Sequence, residues 1–253
     1  MGIGESIQKG FGVTKKSMGL ILLLSVFGFI FNMIQQTQAP VAAEVDTPPS
    51  PLLIVTGIVF IFLTIFFQAG QMGYVLDKIK TGKAAFSNFM SAGGKFYLPI
   101  LVLGLVVSLI IGVFVLLAAL VVAMLQNVQV LSIPLAILFA ALGIYFVVML
   151  FLSPYAVVAD GKTVKESIKL SMKLVKKNIL PLLGVSAVLI LIGFAIGLGL
   201  GAILAGVGAL VKQEKISQVV FALLSSFVNA YLSLAVTAAF MHFYLALPER
   251  NNN

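Results

Sequence analysis

From Phe96 to Ala159 the chain carries no charged side chain at all. Four shorter stretches, 17–43, 47–76, 178–211 and 216–248, are equally free of charge. A helix needs about 20 consecutive apolar residues to cross a bilayer, so each shorter stretch holds one span. The longest holds two, separated by QNVQVLSIP (126–134), where Pro134 suits the first turn of a new helix. Six transmembrane helices are predicted, near 20–34, 52–76, 97–125, 134–158, 179–210 and 217–246. Backbone groups in hydrocarbon must be satisfied within their own segment, and no stretch shows the short alternation of barrel strands. The expected fold class is an all-α membrane protein. Composition agrees: the chain is 61% hydrophobic and 9% charged, against roughly 45–50% and about 25% in a soluble domain.

The lysines orient the spans. Lys9, Lys15 and Lys16 precede the first, and Lys78, Lys80, Lys83 and Lys95 lie between the second and third. Lys162, Lys165, Lys169, Lys173, Lys176 and Lys177 lie between the fourth and fifth, and Arg250 follows the sixth. The other side receives Lys212 and Lys215 alone. Basic residues near span ends stay in the cytoplasm, so both termini are expected there, in a prokaryotic cytoplasmic (inner) membrane. The net charge of +8 then describes a membrane surface and gives no reason to expect nucleic acid as a partner. Tyr74, Tyr97, Tyr155 and Tyr244 fall at the same span ends, where an amphipathic ring suits the interface. The absence of cysteine excludes disulfides, thiolate metal sites and cysteine nucleophiles. A cleavable signal ending at VAA (41–43) is the competing reading of the first segment. Its basic region would be unusually long, and the repeat below argues for a retained span.

ESIQKGFGVTKKS (5–17) and ESIKLSMKLVKKN (166–178) share their opening triplet and a later Lys-Lys at the same spacing. AAFSNFMSAGGKF (84–96) fits the frame with Phe86 in the isoleucine position and Lys95 in the second lysine position, and Pro99 and Pro181 then coincide. TGK (81–83) and DGK (160–162) precede the second and third copies. The unit predicted is an interfacial helix followed by a transmembrane hairpin, used three times over about 1–79, 80–159 and 160–253 within one domain, 1–253. On a helical wheel at about 100° per residue the six lysines of 162–177 and Glu166 fall within roughly 120°. Val164, Ile168, Leu170, Met172, Leu174 and Val175 occupy the remainder with Ser167 and Ser171. Such a helix lies in the interface, its lysines touching lipid headgroups, or covers the inner end of the bundle as an ordinary loop helix.

SPYAVVADGKTVKESIKLSMKLVKKNILPLL (153–183) resembles the segment after the fourth span in prokaryotic six-helix membrane proteins. These include the membrane domain attached to some glycerophosphodiester phosphodiesterases and the YciC-like proteins. Pro154, Asp160-Gly161, Glu166-Ser167, Ser171 and Asn178 carry the resemblance. It implies an integral membrane protein without the phosphodiesterase catalytic domain, for which no soluble stretch is long enough.

No Asp, Glu, Lys or Arg lies well inside a span, and the one histidine, His242, is within about a turn of an end. Ion-coupled transport and intramembrane proteolysis need such groups, so neither is expected; His242 is read as a hydrogen-bonded tip. Neutral polar residues remain. Ser226, Asn229, Ser233 and Thr237 make one stripe on the sixth span, and Gln68 and Gln71 sit on the second beside Gly70 and Gly73. They line a path for a solute or hydrogen-bond neighbouring helices together, and we take the second as the expectation. Gly193, Gly197, Gly201 and Ala205 recur every four residues on the fifth span, predicting a face for close packing within the chain, with self-association as the alternative. QQTQAPVAAEVDTPPSP (35–51) reads as an extended outer spacer.

The function expected is that of a non-catalytic polytopic protein: a structural, lipid-contacting or complex-associated subunit. Membrane lipids, anionic ones above all, are the expected partners, with other membrane subunits or a second copy of the chain beside them. The alternative is an uncoupled permease or flippase-like carrier of a polar or amphipathic solute. No catalytic residue, cofactor or metal site is expected.

Overall fold

The computed structural model describes residues 2–42, 51–125, 128–210 and 213–248, and no strand occurs among them. Eight helices follow one another: α1 (Ile3–Lys15), α2 (Met18–Ala42), α3 (Pro51–Thr81), α4 (Phe86–Met124), α5 (Gln129–Leu150), α6 (Ser153–Asp160), α7 (Val164–Leu210) and α8 (Glu214–Leu245). Six helical segments are long and apolar enough to cross a membrane: Met18–Gln35, Ile54–Thr81, Phe86–Met124, Val130–Asp160, Val164–Leu204 and Ile216–Leu245. Large apolar side chains stand on their outer surfaces, Leu109 at 69% exposure and Ile190 at 69% among them. In water so much exposed apolar surface would aggregate; in a bilayer it meets a matching solvent. The chain is a multi-pass membrane protein.

Helix boundaries depart from expectation wherever proline or a side-chain hydrogen bond intervenes. α2 continues past Gln35 to Ala42, so the first part of the expected extended spacer is helical. Glutamine and alanine are competent helix formers, and they prolong the helix ahead of the proline-rich part. Residues 43–50 of that spacer, and with them Ala43 of the VAA site, lie outside the described residues. α5 begins at Gln129, which places Pro134 inside the helix instead of in its first turn. The expected fourth span, 134–158, is two helices. α5 ends at Leu150, and α6 restarts at Ser153 with Pro154 in its first turn, where a missing N–H costs nothing.

Of two expected breaks between surface helix and span, one is absent and the other is a kink. α4 runs unbroken from Phe86 through Pro99 to Met124. α7 joins the lysine-rich segment to the fifth span through a kink at Asn178 (φ −122°, ψ 28°). Pro181 can neither donate to nor tolerate the carbonyl four residues earlier, which forces the bend just upstream. Asn178 Nδ2 donates to Leu174 O at 3.0 Å, within the last turn before the bend.

The chain divides into two compact units: Met1–Gly94 with Pro181–Ala246, and Lys95–Leu180 with the chain from Leu247. In the first, α8 is the central helix, packed against α1, α2 and α3, while α2 and α3 touch each other little. Small residues on α8 make this possible: Ala235, Ala238 and Ala239 are fully buried. α2 meets α3 through phenylalanines, with Phe27 stacked on Phe67 at 4.2 Å and Phe31 tilted against Phe60 at 4.5 Å. The start of α4 lies on the carboxyl-terminal half of α3, Gly70 facing Phe89 and Gly73 facing Ala92. In the second unit α4 meets α5 where Phe114 packs on Gly143 and stacks on Phe146 at 5.6 Å. There too Ser171 of α7 bridges the break after α5: its Oγ donates to Met149 O at 2.7 Å and accepts from Leu152 N at 3.1 Å.

The four tyrosines expected at interfacial span ends are mostly enclosed by protein. Tyr74, Tyr155 and Tyr244 are buried in protein at 7%, 7% and 0% exposure, and Tyr97 alone of the four is half-exposed. The rings of Tyr74, Tyr155 and Tyr244 are packed within protein.

Candidate functional site

Two surfaces gather polar chemistry. The first is the amino-terminal part of α7, before the kink at Asn178. Thr163 precedes the helix and Glu166 reaches back to it: Thr163 N donates to Glu166 Oε2 at 3.0 Å, and the Thr163 hydroxyl to the same oxygen at 2.8 Å. Glu166 N–H points at Thr163 Oγ1 at 3.4 Å. This reciprocal arrangement is a capping box, spelled in the sequence by Thr-x-x-Glu. The backbone and hydroxyl bonds from Thr163 hold the Glu166 carboxyl below the usual carboxylate range, with Lys162 adding to the effect. From that cap the helix turns Lys165, Lys169, Lys173, Lys176 and Lys177 outward, all exposed, and Lys162 sits half-exposed beside them. The opposite face is closed by protein: Ser167, Ser171, Leu174 and Val175 are fully buried and Leu170 is 4% exposed. The apolar face therefore covers protein instead of entering lipid, so the loop-helix reading describes that side.

α1 follows the same plan. Ser6, Ile7, Gly10 and Thr14 are buried, while Lys9, Lys15 and Lys16 are exposed and Lys9 pairs with Glu5 at 2.8 Å.

The second surface is a cleft of about 480 Å3 in the first unit, walled by α2 and α3 and floored by α8. It exists because α2 and α3 both lean on α8 and leave a gap between themselves. All six predicted polar residues line it: Gln68, Gln71, Ser226, Asn229, Ser233 and Thr237. Gln71 is 5% exposed and spends its amide on α8, donating to Thr237 Oγ1 at 2.9 Å and to Ser233 Oγ at 3.2 Å. Ser226, 2% exposed, accepts from Asn32 Nδ2 at 2.9 Å. The expected interhelical hydrogen bonds therefore hold for Gln71, Ser226 and Ser233, whereas Gln68 and Asn229 are exposed to the cleft. Asn32 and Thr64 join the lining without having been singled out. Asn32 lies near the outer end of its predicted span, and Thr64 looks like one more hydroxyl able to bond its own helix; neither carried a signal above that background.

Among the described residues, nothing packs on the three glycines of the stripe. A Cβ built on Gly193, Gly197 or Gly201 would meet no described atom within 4 Å, and Gly197 and Gly201 are exposed. The expectation that this face lies against another helix of the chain is corrected for those three positions; the side chain of Ala205 lies outside the described residues. The glycines that admit close neighbours are elsewhere, at Gly10, Gly70, Gly73 and Gly93.

Comparison with known proteins matches residues 1–247 to one family profile, described as a domain of unknown function, DUF7847. The chain belongs to the DUF7847 family. No curated protein and no solved structure matches this DUF7847 member. The resemblance to the phosphodiesterase membrane domain and to the YciC-like proteins gains no support from these comparisons.

Proposed function

We propose that this DUF7847 protein is a non-catalytic, lipid-contacting protein of a prokaryotic cytoplasmic membrane, acting as a structural or complex-associated subunit with both termini inside. The observation that carries the reading is the two-faced amino-terminal part of α7. Its buried face fixes the helix against protein, and its exposed lysines then stand in a set orientation. At an anionic leaflet each lysine near the surface gains about 1 kcal/mol, fading within roughly 8 Å at physiological salt. The spans already hold the segment at the membrane, so this energy selects the lipids around it instead of anchoring it. A threefold repeat supports the same picture. α1 packs on α8, the start of α4 on α3, and α7 is bonded to the end of α5. Each basic segment thus rests on the return span of another copy.

The test is native mass spectrometry in mixed neutral and anionic lipid. The purified protein should retain anionic lipid preferentially, and Lys165, Lys169, Lys173 and Lys176 all changed to Gln should lose that preference while the bundle stays folded. Equal retention by both forms would leave the lysines as topology signals alone.

The cleft favours a second reading, an uncoupled carrier of a polar or amphipathic solute, because Gln68 and Asn229 face open space near the middle of their helices. Reconstituted vesicles that show protein-dependent flux of an uncharged polar or amphipathic solute, abolished by Asn229→Leu, would support it.

A further inference from the structure

Thr64, Gln68 and Asn229 bring three hydrogen-bonding side chains into the cleft, and none has a protein partner among the described residues. Asn229 lies near the midpoint of α8 and Gln68 near that of α3, so these groups stand at hydrocarbon depth. An amide facing lipid tails has nothing to bond, and leaving it so is costly. A polar occupant of the cleft would supply the missing partners.

The lining limits what that is. It contains no Lys, Arg, Asp or Glu. A phosphate or an ammonium brought to this depth would find no counter-charge, and desolvating it would be prohibitive. Amides and hydroxyls both donate and accept, which suits an uncharged head that does the same. Next to the cleft, toward the outer ends of α2 and α3, lies a second pocket of about 380 Å3. It shares Phe31 and Thr64 with the cleft and is otherwise lined by Ile34, Phe60, Ile61 and Ile65 among mainly apolar groups. Polar and apolar chambers in series make a place for a head and a chain.

We propose that this groove binds an uncharged, hydroxyl-bearing lipid of the acylglycerol class, its head bonded by Gln68 and Asn229 and its chain laid outward along Phe31, Phe60 and Ile61. The proposal shares the cleft with the carrier reading but requires binding alone, not movement across the membrane.

A diazirine-bearing diacylglycerol tests it, with a phosphatidylglycerol carrying the same diazirine chain as comparison. Each is photolysed with the full chain in neutral-lipid nanodiscs and the adducts are mapped by mass spectrometry. The diacylglycerol should label 24–35 and 56–71, and unlabelled diacylglycerol should compete while phosphatidylglycerol does not. In the Gln68→Leu/Asn229→Leu variant, labelling should fall by roughly tenfold, as expected for losing the hydrogen bonds to the head. No labelling of these segments, equal competition by phosphatidylglycerol, or undiminished labelling of a folded double variant would each overturn the proposal; the first would leave water in the cleft. The wild-type competition decides the matter should the variant not fold. Selective labelling without flux in vesicles would sink the carrier reading and leave this one standing.

Discussion

Gly10 of α1 lies against the backbone of Ala239 on α8, so closely that a Cβ at Gly10 would come within 2.6 Å of Ala239 N. The contact fastens the amino-terminal surface helix to the central helix of its unit. Backbone cannot step aside as a flexible side chain can, so even one methyl group must push the helices apart. A Cβ at Gly12, two residues further along α1, would meet no described atom within 4 Å.

Gly10→Ala should therefore lower thermal stability by about 1–3 kcal/mol, the usual cost of overpacking. Gly12→Ala should leave it unchanged or raise it by up to about 1 kcal/mol through helix propensity. Thermal unfolding of both variants in the same detergent is the measurement. Equal midpoints would show that α1 does not hold α8 in this way.

Ser171 makes a second prediction. Its hydroxyl serves both sides of the break between α5 and α6, accepting from Leu152 N and donating to Met149 O. Ser171→Ala leaves a buried donor and acceptor unmet, at about 1–3 kcal/mol. Amide exchange at Leu152 should accelerate most. Unchanged protection there would mean that the break is held by packing alone.

The glycine stripe predicts a silence. Gly197→Leu and Gly201→Leu each add a Cβ with no described atom within 4 Å, and each replaces a poor helix former by a good one. Folded yield and thermal midpoint should match wild type. A sharp loss in either variant would reveal a partner helix on that face, from this chain or a second copy.

Topology is tested by single cysteines, which the chain otherwise lacks. An impermeant thiol reagent applied to intact cells should label Pro48→Cys and Gln129→Cys and spare Lys165→Cys. The opposite pattern would reverse the orientation and move the lysine face to the outer leaflet.

Spans and polar stripes were legible because each depends on residue type and period alone. Charge cannot enter hydrocarbon without great cost, so the charge-free runs mark the helices before any packing is known. Likewise the spacing that puts Ser226, Asn229, Ser233 and Thr237 on one face follows from helix geometry. Which face meets which helix does not. Gly197 and Gly10 are the same residue in equally helical settings, yet one faces open space and the other a backbone. Only the arrangement around α8 separates them. The split of the fourth span at Leu150 likewise needed Ser171, nineteen residues beyond Leu152, to arrive and satisfy the interrupted backbone. The cleft has the same origin: Gln71 found Thr237 across the helix interface and Gln68, one turn away, found none. Local physics determined what each segment is; long-range packing decided which polar groups were left facing a cavity.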